Sequence, residues 1–350
     1  MTFSLPPLAI SLARTMGESV NDAAVRSAAD SMVRLGLRDA GYEYIIISDA
    51  WCKQKRCLKT DSLICDTEKF PEGLSATAEY LHSLGLKLGV VASLGARSTT
   101  DRPGMFEHEW ADVEYLDRAG VDYIACDLTK LPARGELQTP LRRMGLAVRQ
   151  AQRDIYLAVY TDRDIHTWVR STGANAFCLK SFYNCSPAVE CDPVSAGYSA
   201  DFCFESCGDI TFDSTESLRS QLTIAAAMSS PIVVDCDVDS LSDEALKLMK
   251  DPLLLSIMRD EEGRPARRLD DGVYCKMLTD CEYAVALVNF TEQEVTRSFC
   301  TYDFGLIRNS GYYCEAANVF TGEKTDFSDS LEVTLPAGSS AMYLMRLIER

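Results

Sequence analysis

Eight short apolar runs, separated by segments of helical pattern, constrain this chain more than any other feature. They are 8–12 (LAISL), 44–47 (YIII), 86–92 (LKLGVVA), 123–126 (YIAC), 155–159 (IYLAV), 176–179 (AFCL), 201–204 (DFCF) and 231–234 (PIVV). The runs are continuous rather than alternating. A strand of that kind is buried on both faces, the condition of a parallel sheet wrapped by helices. The segments between them supply the helices. Ser19 and Asp22 read as a capping box ahead of a stripe at Val25, Ala28, Ala29 and Met32. Asp213 and Glu216 precede Leu218, Leu222 and Ala225 in the same way, and Ser240 and Asp243 precede Leu246 and Met249. Eight such units before Arg268 match a (β/α)8 TIM barrel, which takes about 250 residues.

The pattern changes after Arg268. Alternating runs (GVYCKML, EYAVALVNF, LEVTLPAG, SAMYLMRL) follow, with turn signals at 309–311 and 321–322. That spacing predicts a small antiparallel β-sandwich. The expected fold class is therefore α/β: a (β/α)8 TIM barrel over 1–268 and a C-terminal antiparallel β-sandwich over 269–350. The boundary falls in the charged stretch 260–268 (DEEGRPARR).

Charge narrows the partners. Lys plus Arg total 35 against 52 Asp plus Glu, a net charge of −17. A field of that sign repels phosphate backbones, so nucleic acid and anionic membrane surfaces are not expected as partners. No apolar run reaches the length of a membrane span, and the N-terminus lacks the pattern of a signal peptide. The chain has 14 cysteines and three scattered histidines, His82, His108 and His166, with no CxxC pair. No metal site and no cofactor are expected. Several cysteines sit inside apolar runs (Cys126, Cys178, Cys236) and act there as small hydrophobes. Mostly free thiols and a cytoplasmic location follow as expectations. Cys52, Cys57 and Cys65, which share one loop, are the thiols most prone to pair.

In a barrel the chemistry gathers at the C-terminal ends of the strands. The polar residues following the runs are Ser48, Asp49 and Trp51; Ser93 and Arg97; Asp127 and Lys130; Tyr160, Asp162 and Asp164; Lys180; Glu205; and Asp235 and Asp237. Carboxylates hold sugar hydroxyls and aromatic faces stack on sugar rings, so a mouth of this composition fits a carbohydrate. The same acidic residues are also suited to capping the helices that follow.

Several segments resemble glycoside hydrolase family 27, the α-galactosidases and α-N-acetylgalactosaminidases. DAGYEYIIISDAW is similar to the family's daGYeYvniDDcW. KFPEGLSATAEYLHSLGLKLGVVASLG is similar to kFP.Gmk.la.yvHskGLKfGiYsd.G, and AGVDYIACD to wGVDylKyD. AAAMSSPIVVDCDV and LMKDPLLLSIMRDEEGRPARRL resemble the family's later segments. The resemblance runs from about Pro6 into the C-terminal strands. It implies a retaining glycosidase, in which one carboxylate attacks the anomeric carbon and a second protonates the leaving oxygen.

By that resemblance Asp127 stands at the nucleophile. Asp49, Trp51, Tyr160, Asp162, Lys180 and Asp201 are the implied substrate-binding set, and an α-linked glycoside is the implied partner. Other positions depart from the pattern. Ala125 stands where the family has a Lys, Ser48 where it has an Asp, Leu12 where it has a Trp, and Tyr160 where it has a Glu. Three registers for the acid/base place Phe182, Ala174 or Asn184 there, none of them a carboxylate. Asp162 and Glu205 are the replacement acids at hand. The implied function is a divergent α-galactosidase-like hydrolase. The alternative is a catalytically inactive carbohydrate-binding or regulatory relative on the same scaffold.

Overall fold

The computed structural model describes residues 5–132, 135–163, 165, 167–178, 203–204, 209–211, 214–306 and 310–349. The N-terminal part alternates strands and helices: β1 (Leu8–Ser11), α1 (Asp22–Arg34), β2 (Tyr42–Ile47), α2 (Leu74–Ser83), β3 (Lys87–Ser93), α3 (Glu109–Arg118), β4 (Val121–Asp127), α4 (Gln138–Gln150), β5 (Tyr156–Tyr160), β6 (Ala176–Cys178), β7 (Cys203–Phe204), β8 (Asp209–Thr211), α5 (Thr215–Ala227), β9 (Ile232–Asp235), α6 (Asp243–Met249) and α7 (Pro252–Met258). The strands form one parallel sheet in the order β7-β6-β5-β4-β3-β2-β1-β9-β8.

Its two edges, β7 and β8, are close neighbours in the chain. Phe204 and Asp209 are linked by so few residues that an extended chain could separate them by at most about 18 Å. The sheet therefore curls back on itself as a TIM-type barrel does. The seventh apolar run was expected to give one strand. It gives β7, paired with β6, while the segment just after it gives β8, paired with β9.

Burial explains the continuous runs. One side chain set, including Ile10, Ile45, Ile47, Val90, Ile124, Val159 and Val234, packs with helix residues such as Val25, Leu81, Leu116 and Leu222. The alternate set forms a separate cluster: Ala9, Tyr44, Ile46, Val91, Tyr123, Ala125, Tyr156, Ala158, Tyr160, Ala176, Cys178 and Val233. The first faces the helices and the second fills the lumen, so neither face of a strand meets water.

The helix starts are offset from the expected caps. Helix α1 is capped by Asn21, whose side chain accepts from the Ala24 N–H at 3.0 Å; Ser19 lies in a preceding 3-10 turn. Ser214 caps α5 and Ser242 caps α6 through their hydroxyls. In each case a short oxygen-bearing side chain nearer the first helical turn takes the role. Asp213 lies outside the described residues. The predicted stripe Val25, Ala28, Ala29 and Met32 is buried as expected.

The C-terminal part is antiparallel. Strands β10 (Arg267–Asp270), β11 (Val273–Met277), β12 (Tyr283–Val288), β13 (Val295–Cys300), β14 (Tyr312–Asn318), β15 (Lys324–Phe327), β16 (Ser330–Leu335) and β17 (Ser340–Glu349) form two sheets. One has the order β10-β11-β12-β17-β14-β15; the other pairs β13 with β16. Val273, Cys275, Val285, Leu287 and Met345 pack against Phe299 and Leu335 between the sheets. The opposite face of the larger sheet (Tyr274, Ala284, Ala286, Met342) joins the core around α5. Lys276, fully buried, crosses that junction: its Nζ donates to Ser229 Oγ at 2.6 Å and to the Ile257 carbonyl.

Candidate active site

The parallel register lines up Ser93, Asp127, Tyr160 and Cys178 as successive neighbours across β3, β4, β5 and β6. Tyr160 and Cys178 belong to the lumen cluster, and the alternation of side chains puts Asp127 on the same face as Ala125. This row is the upper layer of the lumen, at the C-terminal end of the barrel. One step below lies a row of small side chains, Val91, Ala125, Ala158 and Ala176. Below that the lumen is filled by aromatic rings. Tyr123 stacks on Tyr156 at 5.2 Å and meets Tyr44 edge-on at 5.5 Å.

Asp127 is 2% exposed. Its Oδ1 accepts the Thr129 N–H at 2.8 Å, a turn in which the carboxylate folds back over its own strand end. Burial pushes the carboxyl above the usual range; the hydrogen bonds from Thr129 and the charge of Lys130 pull it down, and Asp162 adds a repulsive push. Tyr160 is fully buried with its hydroxyl 3.5 Å from that of Tyr123. Ser93 is also buried, and its Oγ accepts the Gly95 N–H.

The other expected residues are placed as follows. Asp49 is 5% exposed, and its Oδ2 accepts from Thr100 Oγ1 at 2.6 Å. Ser48 donates to the Gly17 carbonyl at 2.7 Å, so the hydroxyl at that position ties the loop after β1. Trp51 is 1% exposed, and its indole face is taken by Tyr115 of α3, in parallel stacking at 6.0 Å. Leu12 is buried in the helix-side core. Asp162 is a rim residue, exposed over two-thirds of its side chain and 3.9 Å from Arg163 Nε. Lys180 and Asp201 lie outside the described residues, as do Asp164, Phe182, Asn184 and Glu205. Ala174 is buried.

Asp235 holds the loop after β1. It accepts from Ser11 Oγ at 2.6 Å, Thr15 Oγ1 at 2.6 Å, and the backbone N–H groups of Arg14 and Thr15 at 3.0 Å each. Thr100 and Thr129 were not among the sequence candidates. Thr129 follows an Asp by two positions, an Asx-turn spacing that could have singled it out. Thr100 reaches Asp49 from the loop after β3, a long-range pairing with no local signal. Among the described residues, no group of three or more His, Cys, Asp or Glu is placed to hold a metal ion. No helix of the described residues is long and apolar enough to cross a membrane.

Known proteins share this fold. A family model described as Alpha galactosidase A matches residues 11–172. The chain is 27% identical over 322 residues to the α-galactosidase of Cyamopsis tetragonoloba, covering 86% of this chain and 76% of that protein. The α-galactosidase of Saccharomyces cerevisiae solved with raffinose superposes with a TM-score of 0.84 at 17% identity, covering 98% of both chains. A family 27 β-L-arabinopyranosidase from Geobacillus stearothermophilus superposes with a TM-score of 0.81 at 16% identity, covering 97% of this chain and 96% of that one. The curled parallel sheet, the segments of matching sequence and the relatives that share them agree: the chain is similar to the α-galactosidase-like hydrolases of glycoside hydrolase family 27.

Proposed function

We propose that the chain binds an α-linked pyranoside in the mouth of a closed eight-stranded barrel, with Asp127 in the nucleophile's place. The C-terminal sheets form a sandwich and a second domain, beginning at about residue 269. The protein is cytoplasmic in this reading. The observation that carries it is the position of Asp127: it ends β4 in the upper lumen layer, between Ser93 and Tyr160, one step above a row of small side chains. The raffinose in the structure of the yeast relative and the β-L-arabinopyranosidase activity named for the Geobacillus relative support a pyranoside as the class of sugar.

Ordinary α-galactosides are poor substrates in this reading. Losing a general acid costs about 10²–10⁴ in rate, and none of the three registers supplies a carboxylate at that position. Ala125 removes a cation from the lumen beside Asp127. A second reading, a sugar-binding protein without turnover, draws on the same burial: a carboxyl driven toward its neutral form is a weaker nucleophile.

An activated aryl α-galactoside separates the two, because a good leaving group needs little protonation. Turnover or a trapped glycosyl-enzyme, abolished by Asp127→Asn, supports the first reading. Saturable galactoside binding without any reaction supports the second. Efficient cleavage of raffinose, abolished by Asp127→Asn, would reveal another residue acting as acid and overturn the expectation of poor activity.

A further inference from the structure

Cys52 and Cys65 face each other across the loop that follows β2. They are partners in an isolated antiparallel bridge. The flanking hydrogen bonds run from the Lys53 N–H to the Ile64 carbonyl and from the Asp66 N–H to the Trp51 carbonyl, both at 2.8 Å. No hydrogen bond joins the two cysteines themselves, so theirs is the narrow, non-hydrogen-bonded kind of pair. In such pairs the Cα atoms stand about 4.5 Å apart. Disulfides need roughly 4.4–6.8 Å. Both side chains are buried, at 2% and 5% exposure, and both are free thiols.

We propose that Cys52 and Cys65 are a disulfide-forming pair, closed by a small-molecule disulfide such as oxidised glutathione. The Cys65 thiolate attacks one sulfur of the oxidant, forming a mixed disulfide and expelling one thiolate. The Cys52 thiolate then attacks the Cys65 sulfur, forming the Cys52–Cys65 bond and expelling the second. The chain gives up two protons and two electrons, and the oxidant leaves as two thiols.

The bond locks the loop base next to Asp49 and Trp51. Cys52 Sγ now donates to the Asp49 carbonyl at 3.3 Å, and the Cys52 carbonyl accepts from Arg102 Nε at 2.9 Å. Oxidation removes the thiol donor but leaves the backbone bridge that pairs the two residues. Burial pushes Cys65 up to about 11 and Cys52 to about 12, so closure is slow at neutral pH and speeds up about tenfold per pH unit. Cys57, nearer the loop tip, differs: its hydrogen bonds with Thr60 draw it below the usual thiol range. It is the site for lasting mixed adducts, whereas the mixed disulfide on Cys65 is resolved by Cys52.

Tryptic mapping of the intact chain under non-reducing conditions tests this directly, because the three cysteines fall in separate peptides, 39–53, 57–59 and 60–69. Incubation with excess oxidised glutathione at pH 8.5 should link 39–53 to 60–69 with the loss of two hydrogens. The link should persist in Cys57→Ser and raise Tm by a few degrees, an effect reversed by dithiothreitol. Finding only glutathione adducts on these peptides after prolonged oxidation, or a link through 57–59, would overturn the proposal; neither result depends on a variant that folds.

Discussion

Asp127 and Tyr160 are direct register partners on adjacent parallel strands, the carboxylate ending β4 and the phenol ending β5. They share one buried layer, so a change in either is felt by the other. Replacing Asp127 by Asn removes the charge that burial disfavours. The folded-state pKa is raised, so the native carboxyl's stabilisation is complete below the unfolded value and is lost as pH rises through the folded one. Asp127→Asn should therefore melt above the native protein at pH 7, with the difference shrinking toward pH 3. Thermal melts across that range check it, and a lower Tm for the variant at pH 7 would contradict it.

Arg56 docks the cysteine loop onto α3. Its guanidinium meets the Asp112 carboxylate with two bonds, at 2.8 and 2.7 Å, and also donates to the Asp61 and Gly104 carbonyls. Asp112 is fully buried and also accepts the Leu63 N–H. Removing one partner of such a pair leaves a charge stranded, at about 3–5 kcal/mol. Arg56→Ala should show that loss in urea unfolding. Arg56→Lys should recover only part of it, because an ammonium lacks the planar fork.

Gly145 lies within α4, where alanine would ordinarily add about 1 kcal/mol of helix stability. A Cβ there would sit 1.7 Å from the Thr172 carbonyl oxygen. Gly145→Ala is expected to destabilise by about 2 kcal/mol or more through overpacking. A stabilised variant in denaturant titration would show that the helix does not press on that turn.

Lys276 tests the junction with the C-terminal sheet. Its ammonium serves two acceptors contributed from outside its own sheet, Ser229 and Ile257. Lys276→Ala should cost roughly 2–4 kcal/mol, through a void and two abandoned acceptors. Lys276→Met keeps the packing and should lose less than half as much. Equal losses in calorimetry would assign the residue's value to the charge alone.

Much of the architecture was legible because burial on both faces leaves a plain trace. Runs such as YIII and YIAC fall within β2 and β4, and the alternating C-terminal segments became β11, β12, β16 and β17. Helix starts were less legible. Ser19, Asn21 and Asp22 all carry the right chemistry, and only the backbone at Asn21 decides which one caps. The place of Asp127 at the end of β4 was legible, because it follows from its strand. The place of Trp51 was not legible: an aromatic after a strand reads the same whether it faces a sugar or, as here, Tyr115. Nor does local sequence tell that Asp235 holds the loop after β1, since its donors lie more than two hundred residues away.

Helix α5 has the barrel on one side and the larger antiparallel sheet on the other. From Ser220 through Ala227 every residue is buried, including Ala225, Ala226 and Ala227. The other barrel helices keep a wet face and can be solvated without help. From Ser220 onward this one is insulated by protein all round, so the C-terminal strands act as its solvent. A barrel cut free near residue 268 would bare a greasy stripe and self-associate. Swapping C-terminal parts between relatives would demand matching α5 in the same exchange.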